Sequence, residues 1–173
     1  MSASEEIFRG RIISVAIEEH RLPDGRTAPY EIVRYPGAAA ALPLLEDGRI
    51  ILVRQYRPTI DGMILEVPAG KLEPGELPEE CIRREIGEEI GCRVKRLEPL
   101  ATTLNAVGFS DACLHLFEAE VSEDGNQALE EDEFIEVVRL PFPEALALLD
   151  QGKITDSKTQ LALLLHARRA GRG

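Results

Sequence analysis

Three glutamates, Glu85, Glu88 and Glu89, fall three and four positions apart in one helix-like segment, so their carboxylates share a face. Like charges at such spacings repel, each pair costing roughly 0.2 to 0.5 kcal/mol. Ile82, Ile86 and Ile90 recur every fourth position beside them, an apolar stripe that pins the same face against a core. A chain that gathers carboxylates next to its own core stripe is assembling oxygen donors. Hard divalent cations such as Mg²⁺ take oxygen donors almost to the exclusion of other types. An acidic helix face standing alone is more often solvated surface than a metal site, so the neighbouring residues must decide.

Those neighbours are the elements that position the carboxylates. Gly70 and Glu73-Pro74-Gly75 read as a tight loop ahead of the helix, and Pro78 suits a first helical turn, where its missing N–H costs nothing. Gly91 reads as a left-handed cap. Arg84, four residues before Glu88, can hold a carboxylate with its planar, always-charged fork. Upstream, residues 7–20 and 27–35 read as strands joined by the turn Pro23-Asp24-Gly25. A small-residue buried strand over 38–45, an apolar strand over 49–56 and a short one over 63–67 lead into Pro68-Ala69-Gly70. Downstream, strands over 93–104 and 113–121 flank a loop at 105–111, and an acidic loop over 122–132 enters a strand over 134–140. Two helices finish the chain, over 143–151 and from 156 or 157 to 169. The second is capped at its start and carries Arg168 and Arg169 at its negative dipole end. This order predicts an α/β fold, a mixed β-sheet between helices (α/β/α) preceded by an N-terminal β-hairpin.

Composition narrows the partners. A length of 173 residues predicts one domain spanning 1–173. A net charge of −11 and a pI near 4.8 argue against a nucleic-acid backbone or an anionic membrane surface as partner. A small phosphorylated substrate stays compatible, because a bound Mg²⁺ inverts the local field. Cys81, Cys92 and Cys113 are odd in number and lack metal-type spacing, which predicts buried thiols in a reducing compartment. The N-terminus has no apolar signal-like run and no segment approaches a membrane span, so a cytoplasmic protein is expected.

Residues 70–92 have the form Gly, five residues, Glu, seven residues, Arg-Glu, an apolar residue, any residue, Glu-Glu, any residue, Gly, hydrophobe. Gly70, Glu76, Arg84, Glu85, Ile86, Glu88, Glu89, Gly91 and Cys92 fill every fixed position. The segment resembles the signature of the Nudix hydrolases. Val53-Arg54-Gln55-Tyr56-Arg57-Pro58, Leu65-Glu66-Val67-Pro68-Ala69-Gly70, Gly108-Phe109-Ser110-Asp111, Asp132-Glu133-Phe134 and Gly152-Lys153-Ile154-Thr155-Asp156-Ser157-Lys158-Thr159 resemble, in this order, the ADP-ribose pyrophosphatases and related nucleoside diphosphate sugar hydrolases.

The resemblance implies the Nudix α/β/α sandwich and Mg²⁺-dependent hydrolysis of ADP-ribose to AMP and ribose 5-phosphate, with Mn²⁺ as a second candidate metal. It implies Glu85, Glu88, Glu89 and the Ala69 carbonyl as metal ligands, Glu76 as nearby support and Arg84 as part of the catalytic motif. Glu133, or else Glu131, would be the general base. Arg57 would contact a phosphate, and Tyr30 and Glu31 would bind the nucleobase. It also implies a homodimer formed through the N-terminal strands at 1–36, ahead of a catalytic core at 37–173. Val107 stands where ADP-ribose-cleaving relatives commonly have Pro, and Ala112 where many have an acidic residue. These departures leave another nucleoside diphosphate sugar, such as a GDP-hexose, as an alternative substrate. A catalytically silent nucleotide-binding module is the alternative from another class.

Overall fold

A computed structural model of the chain describes residues 4–129, 131 and 133–171. Strands β1 (Ser4–Arg9), β2 (Ser14–Arg21) and β3 (Thr27–Arg34) form an N-terminal antiparallel sheet in sequential order. The run read as one strand over 7–20 is therefore two. The chain reverses at 10–13, where the Gly10 N–H donates to the Ile13 carbonyl at 2.8 Å, and β1 pairs with β2 from Arg9 and Ser14 outward. Ile12 and Ile13 extend the apolar pattern straight through this turn, which is why Gly10 was its only sequence mark. The next turn lies at Pro23-Asp24-Gly25 as expected, with Gly25 at φ 88°.

The main sheet has seven strands: β4 (Ala38–Leu44), β5 (Arg49–Arg57), β6 (Gly62–Glu66), β7 (Ala69–Lys71), β8 (Arg93–Leu104), β9 (Cys113–Ser122) and β10 (Ile135–Pro141). They run in the order β10-β5-β4-β9-β8, with β6 paired to β5 and β7 to β4. The β4–β9 pair is parallel and the other pairs are antiparallel, so the sheet is mixed. β4 and β5 pair only at Leu44 and Ile50, then part. Into the gap comes the turn that links β6 to β7, with the Ala41 N–H donating to the Pro68 carbonyl at 3.1 Å. Parting of two central strands is what brings Ala69 and Gly70 to the middle of the sheet.

Helix α1 (Pro78–Ile90) covers one face; α2 (Phe142–Asp150) and α3 (Ser157–Arg169) cover the other. Strand alternation sorts the core between them. Ala39, Ala41, Ile51, Val53, Phe117 and Ala119 pack toward Ile82, Ile86 and Ile90 of α1. Ala40, Leu42, Ile50, Leu52 and Leu116 pack toward Phe142, Ala162 and Leu163. The small, fully buried alanines of β4 let both helical layers approach the sheet centre closely. The α/β/α order expected from the sequence is the order observed. The N-terminal sheet meets the main one where the Val33 N–H donates to the Phe109 carbonyl at 2.7 Å and Arg34 pairs with Asp111 at 2.9 Å. Among the described residues no helix is long and apolar enough to cross a membrane.

Candidate active site

Helix α1 opens at Pro78, with the Leu77 N–H donating to the Glu80 carboxylate at 3.2 Å. It closes at Gly91, whose φ of 63° turns the chain so that the Cys92 N–H reaches the Ile86 carbonyl at 3.3 Å. Between these ends, Cys81, Glu85 and Glu89 form one line at four-residue spacing beside the line of Ile82, Ile86 and Ile90. Both lines are buried, so the helix carries two carboxylates into the sheet: Glu85 is 9% exposed and Glu89 only 2%. The contact with the Ala69-Gly70 backbone is close. A Cβ on Gly70 would lie 1.7 Å from Glu85 Oε1, so no larger residue fits there while Glu85 keeps its place. The Ala69 N–H donates to Glu89 Oε2 at 3.1 Å, and the Cys81 thiol lies 3.4 Å from the Lys71 carbonyl.

Arg84 does more than the expected single carboxylate contact. Its Nε and Nη2 donate to Glu76 at 3.0 and 3.2 Å, and its Nη1 to Glu85 at 2.7 Å and Glu88 at 3.0 Å. Glu76 lies beside the cluster, as the resemblance implies. Burial pushes the Glu85 carboxyl above its ordinary range, against the pull of Arg84, and the charges of Glu88 and Glu133 add to the rise. Glu89 is pushed further, up to about 8, first by burial and then by Glu85, with only the Ala69 N–H and more distant Arg57 opposing. No salt bridge reaches Glu89 among the described residues. Among the described residues no three His, Cys, Asp or Glu side chains converge as a finished cage, and Arg84 lies between Glu85 and Glu88 at 2.7 and 3.0 Å. The donor set nonetheless suits a hard cation: oxygen atoms only, two of the carboxylates buried and mutually repelling.

The loop after β9 is fastened to the C-terminal end of α1. Gly125 N–H donates to the Gly91 carbonyl at 3.0 Å, Gln127 Nε2 to the Glu89 carbonyl at 2.6 Å, and Ala128 N–H to the Glu88 carbonyl at 2.8 Å. These bonds satisfy carbonyls that a helix end otherwise leaves unpartnered. A Cβ on Gly91 would meet the backbone of Asn126 and Gln127 at 2.9 Å, so the cap glycine also serves this fastening. Farther along, Glu131 is exposed and Glu133 partly buried, and the Glu133 charge is felt by both Glu85 and Glu89. Asp132, central to the motif that recommended Glu133, lies outside the described residues. Two of the three bonds come from main-chain amides, which leave no residue-type signal; Gln127 was the one readable sign.

Arg57, at the end of β5, turns its fork to Glu66, with Nε and Nη2 at 2.7 and 2.8 Å from the two carboxylate oxygens. Glu66 is 2% exposed and also pairs with Lys158. Neither Glu66 nor Lys158 was singled out from the sequence, although both lie in motifs that carried the resemblance. Tyr30 and Glu31 lie on β3, in a different sheet from the α1 carboxylates. Tyr30 is exposed and meets His20 edge-on at 5.9 Å, and Glu31 is exposed opposite Ile17. The structure brings together Glu76, Arg84, Glu85, Glu88, Glu89 and Ala69, sets Glu133 within electrostatic reach, and leaves Tyr30 and Glu31 on the separate sheet. Val107 is an exposed loop residue, and the Ala112 carbonyl closes that loop on the Asn105 N–H at 3.1 Å.

A model of the NUDIX domain matches residues 34–163. The chain is 40% identical over 164 residues to the ADP-ribose pyrophosphatase of Bacillus subtilis, covering 93% of this chain and 88% of that protein. It is 40% identical over 136 residues to the GDP-mannose pyrophosphatase of Yersinia enterocolitica, covering 73% of this chain and 71% of that protein. A crystal structure described as an ADP compounds hydrolase superposes with a TM-score of 0.82 over 100% of this chain and 96% of that one. At 23% identity, that likeness speaks for the fold.

Proposed function

This chain belongs to the Nudix hydrolase family, and from that premise we propose that it hydrolyses the pyrophosphate of ADP-ribose to AMP and ribose 5-phosphate. The observation that carries the chemistry is the pair of buried, mutually repelling carboxylates of Glu85 and Glu89 against the Ala69-Gly70 backbone. With Glu88 and the Ala69 carbonyl they would hold Mg²⁺, or Mn²⁺ in its place. A divalent cation there supplies charge neutralisation at the phosphate oxygens and orients the attacking water.

The chain's own residues do the rest. Arg84 holds Glu76, Glu85 and Glu88 at fixed separations, so the donors are organised before substrate arrives. Arg57 presents guanidinium charge to a substrate phosphate while Glu66 fixes its plane. Glu133 accepts a proton from the water that attacks phosphorus, with Glu131 as the second choice. The bond from that phosphorus to the bridging oxygen breaks, and the leaving phosphate takes the bridging oxygen with it.

A second reading, hydrolysis of GDP-mannose, is favoured by the GDP-mannose pyrophosphatase match and by Val107 and Ala112. A silent binding module fits less well, because it has no use for a carboxylate as costly to bury as Glu89. Turnover of a nucleoside diphosphate sugar panel tests the substrate choice: kcat/KM for ADP-ribose is expected to exceed that for GDP-mannose by about tenfold or more, and the reverse order transfers the assignment. The exposed Ile7, Phe8, Ile12, Ile13 and Ile17 of the N-terminal sheet support a homodimer, in which Tyr30 and Glu31 would serve a nucleobase. Light scattering at micromolar concentration checks it, and a monomeric mass removes the dimer from the account.

A further inference from the structure

We propose that Lys158 is a positioning residue that holds Arg57 ready for a substrate phosphate through the buried carboxylate of Glu66; the inference rests on the phosphate contact assigned above to Arg57. Glu66 ends β6 at the sheet interior, just ahead of the turn that delivers Ala69 and Gly70 to α1. Its carboxylate receives Arg57 on both oxygens and Lys158 on Oε2. Lys158 also pairs with Asp156 at 3.0 Å. The four charges sum to zero. Arg57 has the most exposed side chain of the four, at 38%, against 16% for Lys158 and for Asp156 and 3% for Glu66. The network therefore runs from the interior outward and ends on the guanidinium.

The first turn of α3 is stitched to the same strand end. Asp156 caps the helix by accepting from the Thr159 N–H at 2.9 Å, and the Thr159 hydroxyl accepts from the Val67 N–H at 2.8 Å. Residues on both sides of Lys158 are thus tied down, which fixes where its ammonium can reach. A cation in the first turn faces the positive end of the helix dipole, so the dipole gives α3 no gain from Lys158 beyond its pairing with the cap residue Asp156. Glu66 does gain. With Arg57 as sole partner, a buried carboxylate would compete with the substrate phosphate for the same guanidinium. Lys158 keeps Glu66 compensated when Arg57 shares its charge with a phosphate, and it holds the carboxylate in the plane that aims the fork.

A double-mutant cycle on KM with saturating Mg²⁺ tests this. Lys158→Met is expected to raise KM for ADP-ribose about tenfold with a much smaller change in kcat, Lys158→Arg to restore most of the loss, and Lys158→Met to add nothing in an Arg57→Ala background. Lys158→Gln, a milder change, is measured beside it in case the Met variant does not fold. The same rise in KM with and without Arg57 overturns the inference, as does an unchanged KM beside a lowered Tm, which marks a structural tie only. If the wild-type protein hydrolyses GDP-mannose and not ADP-ribose, only the substrate choice falls and the cycle is read on GDP-mannose. If it hydrolyses neither, both readings fall.

Discussion

Glu66 and Glu89 are equally hidden, each 2% exposed, yet they sit at opposite extremes. Burial raises both, but at Glu66 the hydrogen bonds and charges of Arg57 and Lys158 outweigh it and hold the carboxyl below its ordinary range. At Glu89 burial is joined by the charge of Glu85 and opposed chiefly by one N–H, and the group is pushed up to about 8. The fold compensates one buried carboxylate with two cations of its own and, among the described residues, brings no salt-bridge partner to the other. A divalent cation is the supply that the oxygen donors around Glu89 are suited to take.

The largest effect that would sharpen this contrast is expected at the loop. Glu133 adds its charge to the pressure on Glu89, and if it is the general base proposed above, Glu133→Gln should cut kcat by roughly 10²- to 10⁴-fold with little change in metal affinity. Glu131→Gln should do much less; a silent Glu133 beside a crippled Glu131 reverses the assignment. Next comes the helix itself. Glu85→Gln or Glu89→Gln should lower kcat by at least ~10², about 2.7 kcal/mol of barrier, while circular dichroism stays that of the folded protein. Near wild-type rates in both would break the cation site.

Stability separates the two glutamates by sign. At pH 8 in chelator, Glu66→Gln should lower Tm, since breaking a buried pair costs roughly 3 to 5 kcal/mol, toward the low end here because Lys158 keeps Asp156. Glu89→Gln should raise Tm under the same conditions, because a neutral amide removes the burial cost and still accepts from the Ala69 N–H. A smaller effect is the pH profile. Glu89 holds a proton in the folded state between its unfolded value near 4.5 and about 8, so without metal its contribution falls as pH rises through that window and levels off above it. The Glu66 contribution has the other sign: present above 4.5, lost as pH falls through its depressed folded value. Thermal unfolding from about pH 2 to 9 reads each contribution as the difference between the wild type and the corresponding Gln variant.

The sequence made the α1 half of this contrast legible and left the Glu66 half obscure, for a physical reason. Glu85, Glu88, Glu89 and Arg84 lie within one turn and a half of helix, where spacing alone dictates who shares a face. Glu66, Arg57 and Lys158 come from two strands and a distant helix, and only the folded sheet makes them neighbours. The longer strands of the main sheet were readable, since their alternation and Gly/Pro turns are strong, but their order in the sheet was not. The reversal at Gly10 was not, since the apolar run at Ile12 and Ile13 concealed it. β7 leaves no mark in the sequence because three residues, two of them Ala and Gly, carry no strand signal; parting of β4 from β5 creates the edge it pairs with.

The most direct test of the central claim is thermal unfolding of the wild type and Glu89→Gln across a Mg²⁺ titration at pH 8. The wild-type Tm should climb with the logarithm of free Mg²⁺ once past the dissociation constant, as expected of a ligand bound only by the folded state, while the variant starts higher and gains far less. Equal Mg²⁺-dependent gains in the two proteins, or none in the wild type, would contradict the claim that Glu89 is held in reserve for a cation.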